Sequence, residues 1–328
     1  MQKLTFALLL LCLVGGGASS QIWMDYFNYP NGTTLGAWNE LVGDWTVNNN
    51  IAEAEAKFLW QYAVQPNLLY QDCVAQCLVI KNGGTVPHTL QFGGIALRCN
   101  SASDTVMVKV QNNSSAANPT AFDSIWLYEQ PGSATAKTSI TPTFPKATVR
   151  LLLIDQRAEA HIDSDLDGLW DHKVVKTLTN APKNAPVGID GFGGVQIDDF
   201  MLYDGVLLDD VASNPPNPGN EIKFVMRGFP GAQYVAASSL GNVGIPLPDG
   251  RIVPLAPDGM FFASAQNLLP TLFKNYQGVM DGNGDAGCSI DLPNIPALVG
   301  VTIYTAFINT GSGFILNISN DHQSTIVP

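Results

Sequence analysis

Short runs of alternating apolar and polar residues, separated by glycine- and proline-containing turns, dominate the chain. Runs such as "TVMVKVQ" (Thr105–Gln111), "ATVRLLLID" (Ala147–Asp155) and "GVTIYTAFIN" (Gly300–Asn309) are rich in Val, Ile and aromatic residues. A period of two indicates β-strands, and long runs with the helical period of 3.6 are rare. The 31 glycines and 21 prolines supply turns between many strands. The pattern therefore predicts an all-β protein built from sandwiches.

Charge and hydrophobicity narrow the classes of partner. Hydrophobic residues make up 46% of the chain and charged residues 13%, which is typical of a packed globular protein. The net charge of −12 argues against nucleic acid and anionic membrane surfaces, because both require clustered Lys and Arg. The negative charge is compatible with calcium as a bound ion.

The first 20 residues have the layout of a secretory signal peptide. Lys3 precedes a short apolar run from Leu4 to Val14, and Ala18 and Ser20 stand at the −3 and −1 positions of a cut before Gln21. This run is too short to span a bilayer, and no later segment is long and apolar enough. We therefore expect a secreted protein, extracellular or at the cell surface, with no membrane span.

The four cysteines after the leader permit disulfides in an exported protein. Cys73 and Cys77 are four residues apart in an apparent strand, about 13 Å, so they are too distant to bridge each other. Two interpretations of the four cysteines, Cys99 and Cys288 included, remain open. One is a Cys73–Cys99 bridge between antiparallel strands, and the other is a set of buried free thiols.

The clearest boundary is the proline-rich segment "LDDVASNPPNPGN" (Leu208–Asn220), which reads as a semi-rigid exposed linker. Its position predicts a first domain over residues 21–208, a linker over 209–220 and a second, smaller domain over 221–328.

Several sequence motifs mark the start, the middle and the end of the first domain. The domain opens with Asp25-x-Phe27 and closes with "GVQIDDFMLYDG" (Gly193–Gly205), and "FGGIALRC" and "RLLLIDQRAEAHID" lie between them. Together they resemble the laminin-G-like, concanavalin A-like jelly rolls of secreted bacterial proteins, over roughly residues 22–208. The resemblance implies a jelly-roll β-sandwich in which the opening and closing strands lie side by side. The residues that we expect to point into this sandwich are Trp45, Ile51, Phe92, Ile95, Leu97, Leu151, Leu153, Ile197 and Phe200.

The resemblance implies glycan binding, adhesion or, in some members, glycoside hydrolysis. Hydrolysis by the common route requires two convergent carboxylates. The nearest candidates are Glu53 and Glu55 of "AEAEAK", about 7 Å apart on one strand face. The Glu-x-Asp-x-x-Glu strand of concanavalin-type glucanases is absent, so the sequence favours a solvated strand face over catalysis.

Aromatic side chains at alternate positions are candidates for sugar binding, because the flat apolar face of a pyranose suits an aromatic plane. Trp60 and Tyr62 share one strand face, as do Trp126 and Tyr128, and Trp170 is a fifth candidate. The alternative is that one or both pairs belong to the core.

The stretch "HIDSDLDGLWDH" (His161–His172) resembles the front half of a calcium loop. Asp163, Asp165 and Asp167 stand at positions 1, 3 and 5, followed by a glycine at position 6. Leu169 at position 7 and Asp171 at position 9 are further candidate ligands. Position 12 is a valine instead of the bidentate glutamate, and the preceding residues alternate like a strand. The sequence therefore predicts a strand–loop–strand with an open calcium site, or an acidic hairpin whose carboxylates bind their own backbone.

The second domain combines "PLPDGRIVPLAPD" with a closing "LVG-x-x-x-Y" strand. These features resemble a recurrent C-terminal β module of secreted proteins from Planctomycetes-like environmental bacteria, which has no assigned activity. Its "DGNGDAG" turn places Asp281, Asn283 and Asp285 at alternate positions, but an alanine follows at position 6. A glycine-rich β-turn is favoured there over a calcium site.

The sequence thus favours a secreted, non-enzymatic protein of the lectin or adhesion type, stabilised by calcium, whose partner is a glycan or a matrix or cell-surface component. A glycoside hydrolase of the concanavalin A-like class and a structural surface protein without a specific ligand are the alternatives.

Overall fold

The chain folds into two compact units, Trp23–Leu202 and a second unit that runs from Tyr203 to Pro328. A computed structural model describes residues 23–55, 59–82, 90–112, 121–131, 135–166, 170–204, 206–210, 216–248, 251–311 and 314–328. The signal peptide predicted over residues 1–20 lies outside these ranges. Residues Asp209 and Asp210, placed by the sequence in the linker, belong to a strand of the second unit.

The first unit contains two large sheets, and the larger, sheet A, has eight strands. Its strand order is β13-β12-β11-β6-β15-β4-β3, with β1 paired to β15. The pairs β1–β15, β11–β12, β6–β11, β12–β13, β4–β15 and β3–β4 are antiparallel. The strands are β1 (Trp23–Asp25), β3 (Trp45–Asn48), β4 (Ile51–Ala54), β6 (Cys73–Ile80), β11 (Lys146–Ile154), β12 (Arg157–Asp163), β13 (His172–Thr177) and β15 (Gln196–Asp204).

Sheet B has seven strands in the order β10-β9-β8-β7-β14-β5-β2, all paired antiparallel. The crossing of the chain between the two sheets gives the jelly-roll sandwich that the sequence predicts. The strands are β2 (Asn39–Val42), β5 (Gln61–Tyr70), β7 (Phe92–Ser101), β8 (Asp104–Gln111), β9 (Phe122–Gln130), β10 (Thr135–Phe144) and β14 (Ala185–Phe192).

One apolar core fills the space between sheets A and B, since alternate residues of each strand turn inward. Seven of the nine residues predicted to point inward lie in it. The other two predictions are wrong: Ile51 is only half-buried, and Phe92 is buried among side chains on the opposite face of sheet B. The confirmed core residues are Trp45, Ile95, Leu97, Leu151, Leu153, Ile197 and Phe200.

Asp25 ties the opening strand to the core. The opening and closing strands lie side by side as predicted, with Asp25 opposite Phe200. The buried Asp25 carboxylate accepts hydrogen bonds from the Phe27 amide at 2.7 Å, the Tyr29 hydroxyl at 2.7 Å and Trp38 Nε1 at 2.8 Å. Three donors on one carboxylate satisfy groups that would otherwise be buried without a partner.

Of the two interpretations of the cysteines, the Cys73–Cys99 bridge is wrong, because the two cysteines lie in different sheets, and the buried free thiols are confirmed. Cys73, in sheet A, points into the core, whereas Cys99, in sheet B, points to the outer face. All four cysteines that the structure describes are buried free thiols. Burial raises the pKa of the Cys99 thiol to about 11, so little reactive thiolate forms at neutral pH.

The second unit is a smaller sandwich of a four-stranded sheet C and a five-stranded sheet D, with an apolar core between them. A short hairpin and helix α1 (Gly259–Ala265) cover the other face of sheet D. In sheet C the strand order is β16 (Leu207–Asp210), β17 (Glu221–Arg227), β23 (Asp285–Asp291), β21 (Phe273–Lys274). In sheet D the strand order is β22 (Gln277–Val279), β18 (Gln233–Ser239), β24 (Thr302–Gly311), β25 (Phe314–Ile318). Strand β26 (His322–Thr325) also pairs with β24. The hairpin consists of β19 (Ile245–Pro246) and β20 (Ile252–Val253).

Both units are β-sandwiches, which confirms the predicted fold class. Besides α1, the second unit contains a short 3-10 helix, Pro296–Leu298. No helix among the described residues is both long and apolar enough to cross a membrane.

The "DGNGDAG" segment forms a tight turn. The Asp281 carboxylate accepts the backbone amides of Asn283 at 2.7 Å and Asp285 at 2.9 Å, and the Asp281 carbonyl accepts the Gly284 amide at 3.0 Å. The geometry is that of the β-turn favoured by the sequence.

Replacing the Asp25 carboxylate tests its role in the fold. Asp25→Ala leaves Trp38 Nε1 and the Phe27 amide without their acceptor in a buried site, so we expect a loss of about 2 to 5 kcal/mol in the free energy of unfolding. Chemical denaturation followed by tryptophan fluorescence measures it. Tyr26→Ala, at a side chain 46% exposed in the same segment, is the matched control and should cost within about 0.5 kcal/mol. Equal losses in the two variants would contradict this role.

Candidate functional site

The outer face of sheet B, away from the core, carries the candidate site. In β8, Val106, Val108 and Val110 point into the core, so Met107 and Lys109 occupy the opposite face. Aromatic side chains, smaller apolar side chains and a few charged groups occupy this outer face, whereas the inner face is apolar.

Strand register places the site residues in one row across the sheet. Residues directly opposite each other on adjacent antiparallel strands have neighbouring side chains. The row runs, from strand to strand, through Tyr62, Asp190, Gly94, Lys109, Trp126 and Lys137.

Four aromatic rings surround the Lys109 ammonium, and we call Trp60, Phe92, Trp126 and Tyr128 the aromatic box. Lys109 Nζ lies 3.8 Å from the centre of the Phe92 ring, 4.4 Å from that of Trp60, 4.7 Å from that of Tyr128 and 5.8 Å from that of Trp126. The negative faces of the rings attract the cation, which offsets part of the cost of removing it from water. Lys109 is only 4% exposed and therefore occupies the interior of the box.

The rings hold one another in fixed orientations. Trp126 stacks on Tyr128 with ring centroids 5.7 Å apart, and Trp60 stacks on Tyr62 at 6.1 Å. Trp60 meets Tyr128 edge to face at 6.0 Å, which links the two stacked pairs. Trp60, Trp126 and Tyr128 are half-buried, so each keeps a solvent-facing part. The outer face thus presents a rigid apolar surface.

Asp190 adds a buried carboxylate at the edge of the box. Its Oδ2 accepts a long hydrogen bond, 3.4 Å, from Trp60 Nε1. Its Oδ1 has no hydrogen-bond partner among the residues that the structure describes. Burial raises the pKa of Asp190, against the opposing effect of the Lys109 charge and the Trp60 hydrogen bond. Burial likewise lowers the pKa of Lys109, against the effect of Asp190. The site therefore holds a carboxylate oxygen that the described residues leave without a hydrogen bond, beside an ammonium that is surrounded by aromatic rings.

Gly94 separates Asp190 from Lys109 in the row. A Cβ at this position would clash with the carbonyl oxygen of Val108, so the close approach of β7 and β8 requires glycine here. Because glycine has no side chain, nothing from this strand stands between the carboxylate and the ammonium.

The structure brings four of the five predicted aromatic residues together. Trp60, Tyr62, Trp126 and Tyr128 share the outer face of sheet B, as their alternation within strands suggested. Trp170 lies apart from them: its ring covers Arg150, whose Cζ is 3.9 Å from the ring centre, on the sheet A side. A role in the same ligand site is therefore not supported for Trp170.

Three residues of the site are not predicted from the sequence. The sequence predicts Phe92 in the core, and no sequence prediction includes Lys109 or Asp190. Lys109 is a lone charge among apolar residues in "TVMVKVQ", and Asp190 lies in the equally apolar "VGIDGF". A charge on the alternating face opposite to valine or isoleucine was the available signal.

Glu53 and Glu55 are not placed with the aromatic box. Glu53 lies in β4 of sheet A, where Asn82 Nδ2 at 3.0 Å, Gln196 Nε2 at 3.1 Å and Asn48 Nδ2 at 3.4 Å donate to its carboxylate. Glu55 follows the end of that strand. These contacts are those of a carboxylate that joins neighbouring strands, and they do not support the pair as catalytic acids.

The acidic loop connects β12 to β13 as the predicted strand–loop–strand. One carboxylate oxygen from each of Asp163, Asp165 and Asp171 lies within 4.8 Å of the other two. Asp167 and Leu169 lie outside the described residues. Three convergent oxygens fit part of the coordination shell of calcium, which takes six to eight.

The same carboxylates also bind the backbone of the loop. Asp163 Oδ1 accepts the Leu166 amide at 2.7 Å, and Asp171 Oδ2 accepts the Ser164 amide at 2.7 Å and its hydroxyl at 2.6 Å. Burial would raise the pKa of Asp171, but the hydrogen bonds from Ser164 outweigh it and leave the pKa below its usual value. Both sequence interpretations of the loop, cation binding and backbone capping, are thus compatible with its geometry.

The chain is similar in architecture to solved lectins and carbohydrate-binding modules, at low sequence identity. No protein-family model matches the sequence, and no curated protein matches it. Among solved structures, the chain is similar to lectin II from Ulex europaeus (13% identity, TM-score 0.40, covering 57% of this chain and 99% of that one). It is also similar to carbohydrate-binding module CBM66 from Bacillus subtilis (10%, 0.39, 51% and 96%) and to the VIP36 exoplasmic/lumenal domain in a Ca²⁺/Man3GlcNAc-bound form (10%, 0.37, 52% and 83%). At such scores the likenesses carry no conclusion about function.

The raised pKa of Asp190 predicts a pH-dependent stability that one substitution removes. Burial raises this pKa to about 7, so the folded state retains a proton that the unfolded chain loses near pH 4. Its stabilisation is complete below the unfolded pKa and is lost as pH rises from about 4 through 7. We expect the difference in unfolding free energy between the natural protein and Asp190→Asn to fall over this window, measured by denaturation at each pH. A difference that is constant from pH 4 to 7 would contradict the prediction.

Proposed function

We propose that the first unit binds carbohydrate on the outer face of sheet B, over the aromatic box. The observation that supports this most directly is the arrangement itself. Three half-buried aromatic rings and the buried ring of Phe92 surround an ammonium and adjoin a carboxylate oxygen that has no hydrogen-bond partner among the described residues. Ligand sites combine apolar surface with a few fixed polar groups in this way.

The apolar part of the site suits the C–H groups of a sugar ring. Trp60, Trp126 and Tyr128 keep solvent-facing parts, and their mutual stacking leaves them little freedom to lose on binding. Because Lys109 fills the interior of the box, the ligand packs on top of the rings and not between them.

The polar part of the site suits sugar hydroxyls. A hydroxyl both donates and accepts, so hydroxyls that lie over the rings respond to the opposite charges of Asp190 and Lys109, both of which are buried beneath the surface. Gly94, which has no side chain, lies between these two groups in the row across the strands. Charges fixed beneath an apolar surface favour ligands with hydroxyls over purely apolar ones.

The leader-like N-terminus supports the further proposal that the protein acts outside the cell, on a glycan of a matrix or a cell surface. A glycoside hydrolase gains no support from Glu53, whose carboxylate joins strands of sheet A. A structural role without a ligand is the remaining alternative, and a test of glycan binding distinguishes it from the carbohydrate proposal.

We also propose that calcium binds the acidic loop and stabilises it. The support is the convergence of Asp163, Asp165 and Asp171 and the repulsion between their charges, which a cation relieves. Extracellular calcium sites function at millimolar concentration, so an incomplete shell completed by water is sufficient. In this proposal the loop residues bind the ion and serve stability, while the glycan site lies on the other sheet.

Glycan binding is tested by a glycan array followed by calorimetry on the sugar that binds best. Trp126→Ala and Asp190→Asn should each weaken binding about tenfold or more, equivalent to about 1.4 kcal/mol. The first removes apolar surface, and the second removes the negative charge beneath that surface. Trp170→Ala is the matched control, a half-buried tryptophan on the sheet A side, and should leave the affinity within about twofold. If the folded natural protein binds no sugar on the array, the carbohydrate proposal is lost and the structural alternative stands.

Calcium binding is tested by thermal unfolding with calcium and with EDTA. At calcium ten times its Kd, the ion should stabilise the first unit by about 1.4 kcal/mol, a rise in Tm of roughly 3 to 6 °C. Asp165→Asn should abolish the rise, because Asp165 is an exposed member of the cluster. Asp155→Asn, in the neighbouring turn outside the cluster, should retain it. No rise at millimolar calcium in the natural protein would leave only an acidic hairpin.

A further inference from the structure

The second unit contains an apolar cavity that neither its core nor the proposed glycan site uses. It lies between the outer face of sheet D, helix α1 and the β19–β20 hairpin, and its volume is about 280 Å³. It opens to solvent on one side, where Phe262 is 45% exposed. The lining residues are Val235, Ala237, Ile245, Leu247, Val253, Leu255, Phe261, Phe262, Ala265, Gln266, Ala306, Phe307, Ile308 and Ile315.

The chemistry of the lining restricts the occupant. None of these lining residues is ionisable, and Gln266 is the one with a polar side chain. A charged or strongly hydrogen-bonding group placed here would lose its water without gaining a partner. The cavity therefore selects an uncharged hydrocarbon, with any polar end directed to the opening beside Gln266.

The size of the cavity restricts the occupant further. Engineered apolar cavities of about 150 Å³ bind benzene. The present cavity is nearly twice that size, so it holds a hydrocarbon on the order of ten carbons. A single aliphatic side chain from another protein would leave much of this space empty, and empty apolar space costs packing energy.

The cavity is built by small residues on rigid elements. Ala237 lies on β18, Ala306 on β24 and Ala265 at the end of α1, so three elements each contribute an alanine where a larger residue would fill the space. The helix is fixed by its cap: the Asp258 carboxylate accepts the Phe261 amide at 2.8 Å. Its Ser264 hydroxyl accepts the backbone amide of Ser238 on β18 at 2.9 Å. These hydrogen bonds fix α1 against sheet D, so the cavity has defined walls.

The apolar surface continues outside the opening. Phe262, on α1 at the opening, is 45% exposed. It extends the contact for a chain longer than the cavity. Exposed apolar side chains rimming a concave site mark ligand contacts more often than bare surface.

We propose that this cavity is a binding site for the hydrocarbon chain of an uncharged single-chain amphiphile, such as a fatty alcohol. The chain fills the space between sheet D and α1, and the hydroxyl end lies at the opening near Gln266. This site is independent of the glycan site of the first unit, and neither proposal depends on the other.

The test titrates the full chain with 1-hexanol, 1-decanol and 1-tetradecanol by calorimetry. We expect the affinity to rise from hexanol to decanol and to level off at tetradecanol, once the chain exceeds the cavity. Ala265→Leu fills the space and should weaken decanol binding at least tenfold. Ala263→Leu makes the same change on the same helix at a residue outside the lining, and should leave binding within about twofold.

Circular dichroism confirms that each variant folds, and Phe262→Ser provides a second variant that keeps the cavity but removes its rim. Its decanol affinity should fall severalfold. Absence of decanol binding to the folded natural protein would overturn the proposal. So would equal binding by Ala265→Leu, or a concentration-dependent dimer that decanol does not dissociate, since a second copy would then cover the opening.

Discussion

The fold of the first unit depends on the two-residue period of its antiparallel strands. Because Val106, Val108 and Val110 point into the core, the alternation of side chains places Lys109 on the opposite face. The strand register then places Lys109 across from Gly94 and Trp126. The same constraint acts on every strand of sheet B. A shift of one residue in any strand would exchange its core and outer residues, so the register specifies the apolar core and the outer face together.

An unusual amount of charge is buried on that outer face. A lysine and an aspartate that are almost fully buried normally destabilise a protein unless they are paired. Here ring faces replace water around Lys109, while Asp190 Oδ1 is left unsatisfied by the described residues. Groups held in this way are unfavourable for stability, and strongly perturbed groups of this kind are concentrated at functional sites. The second unit shows the apolar counterpart, a space kept open by alanines.

The sequence predicted the architecture well because strand alternation and turn residues are local signals. The opening and closing strands, the hairpin around the acidic loop and most core residues follow from them. The predictions that failed have two causes. Phe92 reads as a core residue by its size, but it is an odd number of positions from Ile95 and Leu97, so the strand period already places it on the outer face, beside Trp60. The other cause is long-range pairing. Cys73 and Cys99 read as neighbours, yet they belong to different sheets. Lys109 and Asp190 are 81 positions apart in the chain, so no local pattern could join them.

The distribution of tryptophan has an optical consequence. The six tryptophans, at positions 23, 38, 45, 60, 126 and 170, all belong to the first unit, and the second unit absorbs and emits through tyrosine and phenylalanine alone. Emission excited at 295 nm therefore comes from one sandwich, whereas far-ultraviolet circular dichroism sums over both. Each unit can be followed separately in the intact chain, without cutting it or adding a label.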